Sequence, residues 1–193
     1  MFGFCKCSRC GKEMFFLGEP QILLCNECMK KQSKIVIRKA SKMREAYIIC
    51  GFSGIGKSTA EQKNRNIVDF ESSGFSHTYE NGLQTGLNAS FPRNYIDALC
   101  DLIDNGCATH YLISCHKEVR EELKKRGLDY VIVLPTAEQK NEYMKRWLKR
   151  GSSVYFIKSM ESRWDDMVRS CEEDDAPKIY LSSGEFISDL ICL

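Results

Sequence analysis

Eight consecutive residues, Gly51-Phe52-Ser53-Gly54-Ile55-Gly56-Lys57-Ser58, fill every fixed position of the pattern GxxxxGK[ST]. The residue types define a chemistry. Glycines let a backbone curl until several N–H groups point at one anion, and the adjoining lysine reaches the outer phosphates of a triphosphate. A serine hydroxyl one residue further on can ligate Mg²⁺. Lys57 and Ser58 therefore take the phosphate and Mg²⁺ roles. Gly51, Ser53, Gly54, Ile55 and Gly56 form the cradle, and Thr59 is a secondary phosphate contact. The expected ligand is ATP or GTP.

Further chemistry-bearing residues follow. Asp69 and Glu71 stand at the end of an apolar stretch, 66–70. Asp69 could take a proton from an acceptor hydroxyl or hold Mg²⁺ through water, its plainer role being a strand-end cap. Glu71 shares the face of Asp69 if the strand continues. The next apolar stretch ends Ser114-Cys115-His116, with no carboxylate. Arg146 and Arg150 are four apart on an expected helix, 136–150, so they share a face. Two cations on a mobile helix suit a lid over a transferring phosphoryl group; the plainer reading is a solvated basic face. His116 either caps a helix or touches the acceptor, and Ser182-Ser183-Gly184 falls where a base-contacting loop would lie.

Five of the eleven cysteines fall in the first 28 residues. Cys7-x₂-Cys10-x₁₄-Cys25-x₂-Cys28 has the paired spacing of a structural Zn²⁺ site. Four thiolates fill a tetrahedron and leave no open position, so this module is expected to recognise rather than react. Disulfides are disfavoured in a reducing compartment, iron–sulfur is the minor rival, and Cys5 is a fifth sulfur.

The elements that position these residues read as follows. Residues 1–32 form the zinc module, with hairpin strands at 13–17 and 21–25. Residues 33–44 are a basic linker and 45–193 an α/β domain. In that domain strands at 46–50, 66–70, 109–115, 130–134 and 178–181 alternate with helices at 57–65, 92–105, 116–126, 136–150, 153–173 and 185–191. Residues 72–90, polar with three glycines, read as a long loop. Strands separated by helices imply a five-stranded parallel sheet with helices on both faces.

Apolar content of 43% and charged content of 28% are those of a soluble globular chain. No apolar run approaches the ~20 residues that span a bilayer, and charged residues and cysteines interrupt any leader-like stretch, so a cytoplasmic protein with no membrane contact is expected. The net charge of +2 hides an asymmetry: residues 1–44 hold ten Lys/Arg against three Glu, while the remainder is acidic. That basic front end is either a solvated linker or a surface for DNA or RNA, with protein docking as the rival.

The glycine motif, the Asp-x-Glu after the second strand, the Ser-x-His after the third and the Arg-xxx-Arg helix together resemble the small P-loop kinases. That group includes nucleoside and nucleotide kinases, gluconate kinase and shikimate kinase. Phe91-Pro92-Arg93-Asn94-Tyr95-Ile96 and Ser114-Cys115-His116-Lys117-Glu118-Val119-Arg120 are similar to segments of phage-encoded P-loop kinase-like proteins. The cysteine module resembles a zinc ribbon or treble clef. The resemblance implies a P-loop NTPase fold of the nucleoside-kinase kind and an ATP-dependent phosphotransferase. Lys57, Asp69, Arg146 and Arg150 are its catalytic groups, ATP, Mg²⁺ and Zn²⁺ its cofactors, and a nucleoside, nucleotide or related molecule its acceptor. Two alternatives stay open: a kinase acting on a modified base in DNA, and a nucleotide-binding regulator without transfer. Oligomeric state is not legible.

Overall fold

The computed structural model describes residues 2–6, 13–17, 46–81 and 83–191. Strand β3 (Tyr47–Gly51) is buried from Ile48 onward, as suits a strand covered on both faces. It is the middle member of a five-stranded sheet of order β4-β7-β3-β8-β9, built with β4 (Ile67–Phe70), β7 (His110–Ser114), β8 (Tyr130–Leu134) and β9 (Lys178–Tyr180). Every pairing in this sheet is parallel. Gly51 lies opposite Ser114 of β7 on one side and Val133 of β8 on the other. The chain builds first to one side of β3 and then crosses to the other, so the carboxyl end of β3 opens at the topological switch point.

The helices are α1 (Lys57–Lys63), α2 (Ser73–Ser76), α3 (Arg93–Asp104), α4 (Lys117–Lys125), α5 (Lys140–Lys149), α6 (Val154–Ser162) and α7 (Trp164–Glu172). Helix α3 shows why they pack: Tyr95, Ile96, Leu99 and Ile103 fall on one stripe and are all buried. Two aromatic groups flank the sheet's carboxyl edge. Under β4, Tyr95 stacks on Phe70 with centroids 4.8 Å apart, joined by Phe75 and Phe91. Under β3, Phe52, Tyr143, Trp147 and Trp164 meet edge-on or tilted.

Four expectations need correction. Residues 72–90 are not a loop: α2 leads into an antiparallel hairpin of β5 (His77–Glu80) and β6 (Leu83–Leu87), with a register shift at Thr78/Tyr79. The stretch 153–173 is two helices, because the backbone at Arg163 leaves the helical region (φ −106°, ψ 4°) and turns Trp164 into the core. Residues 185–191 make one 3₁₀ turn, Ile187–Asp189, docked by Ile187 N–H donating to Ile55 O at 2.9 Å. Strand β2 (Glu13–Leu17) pairs antiparallel with β1 (Phe2–Lys6), a strand the sequence reading had not placed. Cys7, Cys10, Cys25, Cys28, the strand expected at 21–25 and the linker 33–44 lie outside the described residues. Among the described residues no helix is long and apolar enough to cross a membrane.

Candidate functional site

The loop between β3 and α1 is held from below. Phe52 N–H donates to Val133 O at 2.9 Å, extending the strand ladder one residue beyond β3. The Phe52 ring is fully buried, edge-on to Trp164 at 5.2 Å and to Tyr143 at 6.1 Å. Two glycines then turn the chain with positive φ, 90° at Gly54 and 91° at Gly56, a region that side-chain-bearing residues rarely adopt. A Cβ on Gly54 would lie 2.7 Å from Trp147 Nε1, and one on Gly56 would lie 3.0 Å from Phe186 Cδ1. The glycines are therefore required by close approach as well as by dihedral angle.

Above this floor the polar residues converge. Lys57 Nζ turns back toward Gly51 O at 3.5 Å. Ser58 Oγ donates to Asp69 Oδ2 at 2.6 Å, bringing the carboxyl end of β4 against the start of α1. Asp69 Oδ1 is shielded from solvent and has no hydrogen-bond partner among the described residues. Burial raises the Asp69 pKa above the ordinary carboxylate value and outweighs the Ser58 hydrogen bond and the Lys57 charge; Glu71 and Glu61 push the same way as burial. Glu61 also accepts the Asp69 N–H at 3.0 Å. A hydroxyl and a shielded carboxylate with an idle oxygen are oxygen donors that fit a divalent cation, and the nearby ammonium fits the phosphate such a cation would accompany. Thr59 is solvent-exposed one residue further along α1.

β4 stops at Phe70, so Glu71 leaves the strand and its Oε1 accepts the Ser72 N–H at 3.2 Å. Glu71 nonetheless lies within electrostatic reach of Asp69, His116 and Arg150. His116 precedes α4 at the end of β7. Crowding by the surrounding protein lowers its pKa; Glu118 and Glu71 oppose that shift, and Lys57 and Arg163 reinforce it. Arg150 sits at the end of α5, donating through Nε to Ser152 Oγ at 2.7 Å with its guanidinium 5.3 Å from the Phe156 ring centroid. Packing lowers its pKa and Glu71 acts in the opposite sense.

Arg146 reaches the backbone of the glycine loop instead. It donates to Gly54 O at 3.3 Å and to Glu185 O at 2.9 Å, and pairs with Glu142 at 2.5 Å. Its side chain is only 11% exposed. The two arginines of one helical face thus have different surroundings. Arg120, four residues past His116, is also away from the site, buried against Asp174, Ser170 and Cys115 O.

Sequence reading missed Arg163, Glu142 and Phe186. Arg163 was hidden inside what read as one continuous helix. Glu142 carried a usable signal, because a glutamate four residues before an arginine on a helix makes a favourable pair.

The fold and this geometry define an α/β protein whose central strand opens into a glycine loop closed over by residues from both sides of the switch point. No protein-family profile and no curated protein matches the chain. Among solved structures, four chains match. One is the tunicamycin resistance protein of Deinococcus radiodurans, 14% identical, with a TM-score of 0.46 over 75% of this chain and 90% of that one.

Proposed function

We propose that the chain is a phosphotransferase that moves the γ-phosphoryl group of ATP to a hydroxyl or phosphate of a nucleoside, nucleotide or related acceptor. The observation that carries this reading is the meeting of Lys57, Ser58 and Asp69 at one loop, with Ser58 and Asp69 hydrogen-bonded at 2.6 Å. Mg²⁺·ATP, when bound, supplies the phosphoryl group and neutralises part of its charge. The backbone of residues 51–56 and the Lys57 ammonium hold the phosphates, and Ser58 with Asp69 holds the cation. In this proposal the idle Asp69 Oδ1 accepts the proton of the acceptor hydroxyl, the acceptor oxygen bonds to the γ-phosphorus, the bond from that phosphorus to the oxygen of the β-phosphate breaks, and ADP leaves. Arg150 and His116, both within electrostatic reach of Glu71, are assigned to phosphate oxygens or the acceptor. Cys7, Cys10, Cys25 and Cys28 belong to the same proposal as a zinc-held module suited to DNA or RNA.

The test uses the full, zinc-loaded chain with ATP, Mg²⁺ and pooled nucleosides, nucleotides, sugars and DNA, reading ADP release and label transfer. Lys57→Ala is expected to lower turnover by at least about 100-fold with an unchanged melting temperature. Full turnover in that variant overturns the assignment. Label found only in DNA identifies the modified-base reaction, and tight ATP binding with no product identifies a regulator.

A further inference from the structure

Residues 182–187, which follow β9, are joined to the glycine loop at three successive positions, two directly and one through Arg146. Arg146 bridges Gly54 O to Glu185 O, Ile187 N–H donates to Ile55 O, and the Phe186 ring lies where a Cβ on Gly56 would project. Only the Arg146 bridge is made by a side chain from a third segment. The guanidinium lies between two rings, 4.6 Å from the Tyr143 centroid and 4.1 Å from that of Phe186. Its ion-pair partner Glu142 is committed to the same loop: Glu142 accepts the Ser183 hydroxyl at 2.7 Å and the Gly184 N–H at 2.9 Å. These contacts outweigh the cost of partial burial and hold the Glu142 pKa below the ordinary glutamate value. One Glu–Arg pair on α5 therefore ties the glycine loop to residues 182–187.

The donor geometry is specific to arginine. A planar fork can reach two carbonyls and a carboxylate while stacking between rings, whereas an ammonium is a point charge that satisfies fewer of these at once. The loop that Arg146 holds leaves Phe186 40% exposed beside the glycine turn, apolar ring surface of the kind against which a heteroaromatic base packs.

We propose that the Glu142–Arg146 pair couples residues 182–187 to the glycine loop, so that occupancy beside Phe186 by the base of a nucleotide tightens the grip of the loop on its phosphates. This rests on the nucleotide reading above. Arg146 is accordingly a positioning residue that acts through Gly54. The coupling has a consequence that simple scaffolding lacks: it acts on ligands that carry a base and leaves base-free polyphosphates nearly untouched.

The experiment compares the binding of ATP and of inorganic tripolyphosphate, each with Mg²⁺, by calorimetry on the full chain. Wild type is expected to bind ATP at least about tenfold more tightly, the scale of a typical coupling between two sites. Arg146→Lys and Glu142→Gln are expected to shrink that ratio below about threefold, because ATP affinity falls by more than tripolyphosphate affinity, with melting curves still cooperative. Ser183→Ala, which removes one Glu142 contact from the exposed rim, gives a smaller shift in the same direction and serves if Glu142→Gln does not fold. A parallel loss for both ligands, an unchanged ratio, or a wild type that does not prefer ATP overturns the coupling and leaves the phosphate site standing. A wild type that binds neither ligand overturns the phosphate-site reading and the coupling together.

Discussion

The glycine loop and the β5–β6 hairpin rise from the same carboxyl edge of one sheet and are built in opposite ways. Under the loop lie Phe52, Ile55, Tyr143, Trp147 and Trp164, all fully buried, and two of its glycines are seated on ring atoms. The hairpin shows Leu83 73% exposed, Leu87 80% exposed and Tyr79 about half exposed, with Thr78 and Thr85 hydroxyls paired across it at 3.1 Å. Its root is firmer than its tip: Asn94 Nδ2 donates to Phe75 O at 3.0 Å, and the Tyr95 hydroxyl donates to Phe70 O and accepts from Ser114 N–H. A loop that grips a group common to every triphosphate gains from preorganisation, because donors fixed in advance cost nothing to reorder on binding. A segment that must admit one acceptor and later release product gains from a thinly held tip.

Three variants sharpen or break this contrast. Gly54→Ala should be the most damaging, since it meets both a positive φ and Trp147 Nε1; a loss of about 3 kcal/mol in urea unfolding is expected, with ATP binding lost. A loss under about 0.5 kcal/mol would mean the floor yields and the loop is not preorganised. Tyr95→Phe removes two hydrogen bonds at the hairpin root and should cost about 1–2 kcal/mol, read by the same unfolding curves. No loss there would make root and tip alike. The double change Leu83→Ser with Leu87→Ser should move stability by less than about 0.5 kcal/mol, because these side chains bury little. A drop beyond about 1 kcal/mol would show that the tip carries packing and that the two regions differ less than their exposure suggests.

The sheet was legible because its strands are short, apolar and separated by amphipathic stretches, as in Tyr47–Gly51 and Tyr130–Leu134. The hairpin was not, since most of its residues are exposed and leave no apolar alternation to read. A turn signal was present: Asn81-Gly82 is a favoured two-residue hairpin connection, and Asn81 has a positive φ of 50°. At the site, the fixed residues of the motif could be placed from spacing alone. Spacing also put Arg146 and Arg150 on one face, but only tertiary structure separates the guanidinium that meets Gly54 O from the one beside Phe156. The break at Arg163 had no glycine or proline to announce it, because the demand comes from burying Trp164, not from local propensity.

Trp147 and Trp164 have a consequence for synthesis of the chain. Residues 51–58 leave the ribosome well before the indole rings on which Phe52 and Gly54 rest, and Ile55 waits longer still for Ile187. The nascent motif is thus a bare glycine-rich segment until Trp147 and Trp164 have emerged. Chains that terminate before Trp164 would keep the signature residues and lose the surface that shapes them.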